Sequence, residues 1–286
     1  MKSGDTGSGP GRKRGRKRAV VLLSGGMDSA TAMAVARARN YELFALTVDY
    51  GQRHGRELQA AASLARFFRA REHRVISSGI GGLGGSALTD MKLRVPEGRT
   101  RRQGEIPSTY VPARNLVLLA YAVAYAERVG ADAIFIGANV VDYSGYPDCR
   151  PEFLSAFERA ARAGTKMGAR GRRIRVVAPL LRMSKGDIVR KGNELGVPFE
   201  LTWSCYKGGR RPCGRCDACL LRARGFREAG VMDPLSSPSG SDADGGAGQR
   251  RAGRRIKIGG GRERKTRDGY LDRTRERGRG VRGAHR

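Results

Sequence analysis

A short apolar run, Ala19-Val20-Val21-Leu22-Leu23, passes without a break into Ser24-Gly25-Gly26-Met27-Asp28-Ser29, and an alanine-rich stretch follows. That order spells a buried strand, a tight turn and the start of a helix. Adjacent glycines let backbone N–H groups come close to an anion, and the helix start adds the positive end of its dipole. The hydroxyls of Ser24 and Ser29 can donate to phosphate oxygens. Asp28 would repel a phosphate unless it caps the helix or faces a bound cation. The turn is built for a nucleotide.

The rest of the chain repeats the alternation. Strands are expected at 43–48, 73–77, 133–136 and 174–178, and helices at about 28–39, 56–69 and 185–195. Leu116, Leu119, Ala120, Val123 and Ala124 recur at helical spacing up to Gly130, and Phe153, Phe157 and Ala160 mark a further helix. Residues 79–108 read as a long glycine-rich and basic loop. Such alternation predicts an α/β fold with a doubly wound parallel sheet, its ligand site at the carboxyl ends of the strands.

The kind of nucleotide loop follows by exclusion. No Gly-Lys-Ser or Gly-Lys-Thr comes after the glycines, so a Walker-type loop is absent. Gly79, Gly81 and Gly84 spell G-x-G-x-x-G, but Pro96 leaves little room for the required helix, and no acid is placed for a ribose. The Ser-Gly-Gly-x-Asp-Ser pattern resembles the pyrophosphatase loop of ATP enzymes that cleave between the α and β phosphates. That resemblance implies an adenine nucleotide alpha hydrolase-like fold. It also makes the nucleotide-binding segment Leu23-Ser24-Gly25-Gly26-Met27-Asp28-Ser29-Ala30-Thr31-Ala32-Met33. Asp28 and Ser29 are read as exposed loop residues.

Charge is concentrated at the two ends. The formal net charge is +29; residues 1–18 hold seven Lys/Arg against one Asp, and residues 250–286 hold fifteen against four Asp/Glu. Both ends are rich in Gly and Arg and poor in large apolar residues, so they are expected as disordered basic tails at 1–18 and 236–286 around an ATP-dependent domain at 19–235. Tyr270 is the only aromatic in the final thirty-seven residues, so the tails lack stacking platforms. No specific nucleic-acid partner is expected, only weak binding that salt removes. No apolar run approaches a membrane span, and the run at 19–23 ends in the nucleotide loop rather than at a cleavage site. A cytoplasmic enzyme without a membrane partner is expected.

In a reducing compartment the five cysteines are better placed as ligands than as disulfides. Cys213-Gly214-Arg215-Cys216-Asp217-Ala218-Cys219 spaces three thiols two residues apart, with Cys205 a short loop upstream. Four thiolates suit one tetrahedral Zn²⁺ in a closed structural knuckle over 205–219; a redox pair or an iron–sulfur cluster are the alternatives. Cys149 stands apart. His54, His73 and His285 form no metal or triad pattern.

The loop at one end and Ser-Cys-Tyr…Cys-Gly-x-Cys-x-x-Cys at the other resemble the 7-cyano-7-deazaguanine synthase family, nitrile-forming ligases of the queuosine and archaeosine pathways. Asp49-Tyr50-Gly51-Gln52-Arg53-His54, Tyr110-Val111-Pro112-Ala113-Arg114-Asn115, residues 145–153 and Pro179-Leu180…Lys185 fit the same pattern, over about residues 19–230. One departure is Ala113, where the family pattern has glycine, so that a methyl group could meet the ligand. The resemblance implies a carbon–nitrogen ligase that uses ATP, with Mg²⁺, to adenylate 7-carboxy-7-deazaguanine. Ammonium then gives an amide, and a second adenylation gives the nitrile. Asp28, Arg114, Lys166 and Lys185 are implied as the charged groups around the triphosphate, and Asp142, Tyr146 and Asp148 as contacts to the deazaguanine, with the metal as the other partner open to the two acids. The oligomeric state stays open, a homodimer among the options. A tRNA-thiolating enzyme of the same loop family is the alternative, with Cys149 as its only spare thiol.

Overall fold

A computed structural model describes residues 15–98, 106–141 and 146–236. Five strands, β1 (Arg18–Leu22), β2 (Glu42–Asp49), β3 (Glu72–Ser77), β4 (Ala133–Phe135) and β5 (Arg175–Val177), form one sheet in the order β3-β2-β1-β4-β5. Every pairing is parallel. The helices are α1 (Met27–Ala38), α2 (Arg56–Phe67), α3 (Arg114–Val129), α4 (Pro151–Ala163), α5 (Lys166–Ala169), α6 (Lys185–Glu194) and α7 (Asp217–Ala229).

Residues 19–22 of β1, 43–46 of β2 and all of β4 are unbroken apolar runs because both faces of the sheet are covered there. Along β1, Ala19 and Val21 face the core that α1, α2, α6 and α7 close, while Val20 and Leu22 face the core under α3 and α4. β2 alternates in the same way, Leu43 and Ala45 against Phe44, Leu46 and Val48. Strand order reverses at β1, whose neighbours are β2 and β4, and a doubly wound sheet opens a crevice at that point, beyond the carboxyl ends of its strands. The expected strands and helices are present. α5 and α7 are additions, and the glycine-rich 79–84 stretch is a short 3₁₀ turn over Gly79–Leu83 rather than a dinucleotide loop. The tails expected at 1–18 and 236–286 lie almost wholly outside the described residues, as does Asp142. No helix among the described residues is long and apolar enough to cross a membrane.

Ala113 is the N-cap of α3 and sits in the left-handed region, with φ at 53°. The reason for a glycine there is therefore the backbone, since a Cβ in that conformation costs about 1 kcal/mol. Ala113→Gly is expected to raise the midpoint of thermal unfolding by about 2–4 °C. A calorimetric scan showing no rise would mean that the strain is relieved elsewhere.

Candidate functional site

The loop after β1 is folded by its own serines. Ser24 N–H donates to Ser29 Oγ at 3.2 Å, Ser24 Oγ donates to the same oxygen at 3.1 Å, and Ser29 Oγ donates to the Gly26 carbonyl at 3.0 Å. Ser29 is buried, so it shapes the turn and is not an exposed loop residue as the sequence suggested. Gly25 has φ of +88°, and a Cβ there would fall 2.2 Å from the Glu57 carbonyl oxygen, so the loop lies directly on the first turn of α2. Gly137, just past β4, presses on α1: a Cβ would stand 2.9 Å from Ser29 N. No side chain caps α1, and Met27, Asp28 and Ser29 of its first turn line a cavity of about 230 Å³. Unspent helix N-terminal amides facing a cavity make an anion cradle. Ala30, Thr31, Ala32 and Met33 are core residues that support the loop from the helix behind it, and none of them lines the cavity.

Lys185 opens α6, where Ser184 and Asp187 form a reciprocal capping box. Asn139 Nδ2 donates to the Leu180 carbonyl at 3.2 Å and so fixes the turn leading into that helix. The buried Lys185 side chain reaches back to Asp28, Nζ to Oδ2 at 2.6 Å. Asp28 Oδ1 is buried and has no partner among the described residues. Arg114, the first residue of α3, lies over the Tyr50 ring at 5.8 Å, its Nε also without a hydrogen-bond partner there. Burial works against its charge, and the pull of Tyr50, Tyr146 and Asp148 more than restores it. Arg222 also reaches the cavity while buried among Thr202, Phe199 and Asp233, with Nη1 2.6 Å from Thr202 Oγ1. Asp28 pairs with Lys185, and Asp233, outside the lining, pairs with Arg222, so Arg114 is the main cationic group left to meet an anion in the described lining.

The remaining expected residues separate. Tyr146 lines the cavity beside Asn115 and Leu88. Asp148 is buried next to it and accepts Asn115 N–H at 2.9 Å, so this carboxylate caps α3 from outside the cavity lining. Lys166 is exposed on α5 and is not among the cavity residues. Cys149 lines the cavity but is a poor nucleophile: burial pushes its thiol up to about 11, and Asn115 Nδ2 donates to its sulfur at 3.2 Å. Sequence reasoning passed over Glu57, Trp203 and Arg222, and it quoted Tyr50 within the Asp49–His54 stretch without giving it a role. That stretch and Ser-Cys-Tyr lay beside Glu57 and Trp203.

The four sulfurs of Cys205, Cys213, Cys216 and Cys219 lie within 4.8 Å of one another, a set that could hold one metal ion. Backbone N–H groups of Lys207 and Cys213 point at Cys205 Sγ, at 3.4 and 3.3 Å. With S–H donation from Cys216 and Cys219 as the larger cause, they hold the Cys205 thiol well below the ordinary range. Such a closed four-sulfur set fits tetrahedral zinc, which would take the place of the shared thiol protons. Trp203 joins this knuckle to the loop, its N–H donating to the Gly25 carbonyl and its Nε1 to the Cys205 carbonyl, both at 2.9 Å. His54 Nε2 donates to the Cys205 carbonyl as well, at 2.9 Å.

A sequence model described as "Queuosine biosynthesis protein QueC" matches residues 18–230. The chain belongs to the QueC family. The chain is 58% identical over 225 residues to the 7-cyano-7-deazaguanine synthase of Anaeromyxobacter sp. strain Fw109-5, spanning 78% of this chain and 97% of that one. It is 54% identical over 219 residues to the synthase of Desulfitobacterium hafniense strain DCB-2, covering 77% and 92%. Among solved structures, a 4-thiouridine synthetase–RNA complex with bound ATP is 23% identical over 75% of this chain and 50% of that chain, with a TM-score of 0.40.

Proposed function

We propose that the chain is a 7-cyano-7-deazaguanine synthase, a carbon–nitrogen ligase that turns 7-carboxy-7-deazaguanine and ammonium into the nitrile with two molecules of ATP. The observation that carries the reading is one cavity uniting the uncapped start of α1, the Asp28–Lys185 pair and an apolar wall with Tyr50 and Tyr146. Near-complete coverage of the named synthases supports it.

A carboxylate becomes electrophilic only when its oxygen is made a leaving group. In this reading the triphosphate lies on the Met27–Ser29 amides, with Lys185 and Arg114 opposing the charge that develops at the α phosphorus. Asp28 Oδ1 is free to hold a divalent cation, and Mg²⁺ bound there would neutralise phosphate charge. The reading keeps Asp28, Arg114 and Lys185 in contact with the nucleotide. It leaves out Lys166 and gives Asp148 the task of fixing α3. Tyr146 and the apolar residues around it accept the deazaguanine. Zn²⁺ in the knuckle would fasten the segment that braces the loop. No spare reactive thiol serves sulfur transfer, because the Cys149 thiol stays protonated at neutral pH.

Incubation with ATP, Mg²⁺, ammonium and 7-carboxy-7-deazaguanine is expected to yield the nitrile, AMP and pyrophosphate, read by mass spectrometry. ATP turnover without nitrile, or sulfur transferred to tRNA, would overturn the reading.

A further inference from the structure

Ammonium is no nucleophile until it loses a proton, and an amide becomes a nitrile only when its nitrogen loses its remaining protons. Both steps need a proton acceptor inside the cavity. Two carboxylates are present in its described lining, Asp28 and Glu57. Asp28 is committed to Lys185 at 2.6 Å. The Glu57 side chain makes no hydrogen bond or ion pair among the described residues. The phosphate loop fixes its place, since Gly25 packs against the Glu57 carbonyl. Other candidates fail on chemistry. The Tyr50 hydroxyl is pushed up to about 12 by burial, the Cys149 thiol to about 11, and His54 spends Nε2 on the Cys205 carbonyl.

We propose that Glu57 is the base of the ligation: it takes a proton from ammonium, and later a proton from the nitrogen of the activated amide. The proposal rests on the synthase reading above. In the first step NH₄⁺ gives H⁺ to the Glu57 carboxylate, and the freed lone pair forms the C–N bond at the acyl carbon. The C–O bond to AMP then breaks with its electron pair, and the nitrogen sheds one further proton to leave the amide. In the second, the amide oxygen attacks the α phosphorus of a new ATP and pyrophosphate leaves. The activated amide nitrogen sheds one proton to solvent, which gives the neutral imidate, and Glu57 takes the remaining N–H proton as the C–O bond to AMP breaks with its electron pair and the third C–N bond forms. The net change is loss of water from the amide, carried off as AMP and protons, with no change in oxidation state. Burial lifts the Glu57 carboxyl to about 7 against the pull of Arg114, so it can accept a proton and return it to solvent near neutral pH.

The test separates adenylation from proton transfer. Glu57→Gln, checked for wild-type metal content and unfolding midpoint, is expected to keep carboxydeazaguanine-dependent ATP–pyrophosphate exchange within about twofold. Amide formation from ammonium, and nitrile formation from supplied amide, are each expected to fall by about a hundredfold or more. Hydroxylamine, already uncharged at neutral pH, should react with the adenylate on the variant at close to the wild-type rate. Glu57→Asp should fall between the two. Exchange lost in parallel with amide formation, amide formation within tenfold of wild type, or hydroxylamine slowed as much as ammonium would each overturn the proposal. Wild-type protein that makes no nitrile fails the synthase reading itself, and that result is seen without any variant.

Discussion

Lys185→Met is expected to cut carboxydeazaguanine-dependent ATP–pyrophosphate exchange by about a thousandfold, the scale seen when one preorganised charge is removed from a developing anion. Lys185 is held for this task from three sides. The Ser184–Asp187 capping box fixes the helix start, Asn139 fixes the preceding turn, and Gly225 of α7 leaves room for no more than the lysine itself, its missing Cβ being 2.9 Å from Lys185 Cβ. The substitution also strips Asp28 of the cation on Oδ2. Lys185 is 3% exposed and Asp28 19%, so the pair is shielded but open to cavity water, and the loss in stability is expected at about 2 kcal/mol rather than the full cost of a dry broken pair. Exchange kinetics beside a urea titration distinguish the two effects. Exchange within tenfold of wild type would remove Lys185 from the phosphate site.

Cys216→Ser is expected to lose the metal and with it a substantial part of the folding free energy, of order 5 kcal/mol, because a closed thiolate site adds its binding energy to folding. Cys216 is fully buried at the start of α7, so no water replaces the lost ligand. A closed knuckle acts on stability more than on chemistry, and the bonds through Trp203 carry part of the loss to the loop. Losing the Cys205 carbonyl as an anchor frees Trp203, and Trp203 holds the Gly25 carbonyl. ATP affinity is therefore expected to fall about tenfold, the worth of about one hydrogen bond. Metal analysis, thermal unfolding and calorimetric ATP titration check each part; iron with acid-labile sulfide in the wild-type protein would overturn the zinc assignment.

The parallel sheet and the knuckle were legible because each rests on local pattern: apolar runs, glycines at turns, thiols two apart. α7 was not. Its buried face contains Arg222, whose charge is matched by Asp233, so the apolar stripe that marks a helix is interrupted at the position that matters. Glu57 reads as the solvated acid of an amphipathic helix start, and only the contact of α2 with Gly25 turns it into the cavity. Lys166 and Lys185 are alike in sequence, yet one stands in solvent on a single helical turn and the other is sealed between α6 and α7. Asp148 reads as a ligand group because it is an acid in a motif; the fold uses it to close the start of α3. The missing information is tertiary in every case.

The brace on Gly25 comes from residue 203, far along the chain. During synthesis the glycine turn therefore leaves the ribosome well before the tryptophan that will hold it, by roughly ten to thirty-five seconds at 5–20 residues per second. For that interval the nascent protein has a strand and a helix but no finished cradle. Full affinity for nucleotide is therefore expected only once the 205–219 segment has folded against Trp203, which makes it one of the last properties the growing polypeptide acquires.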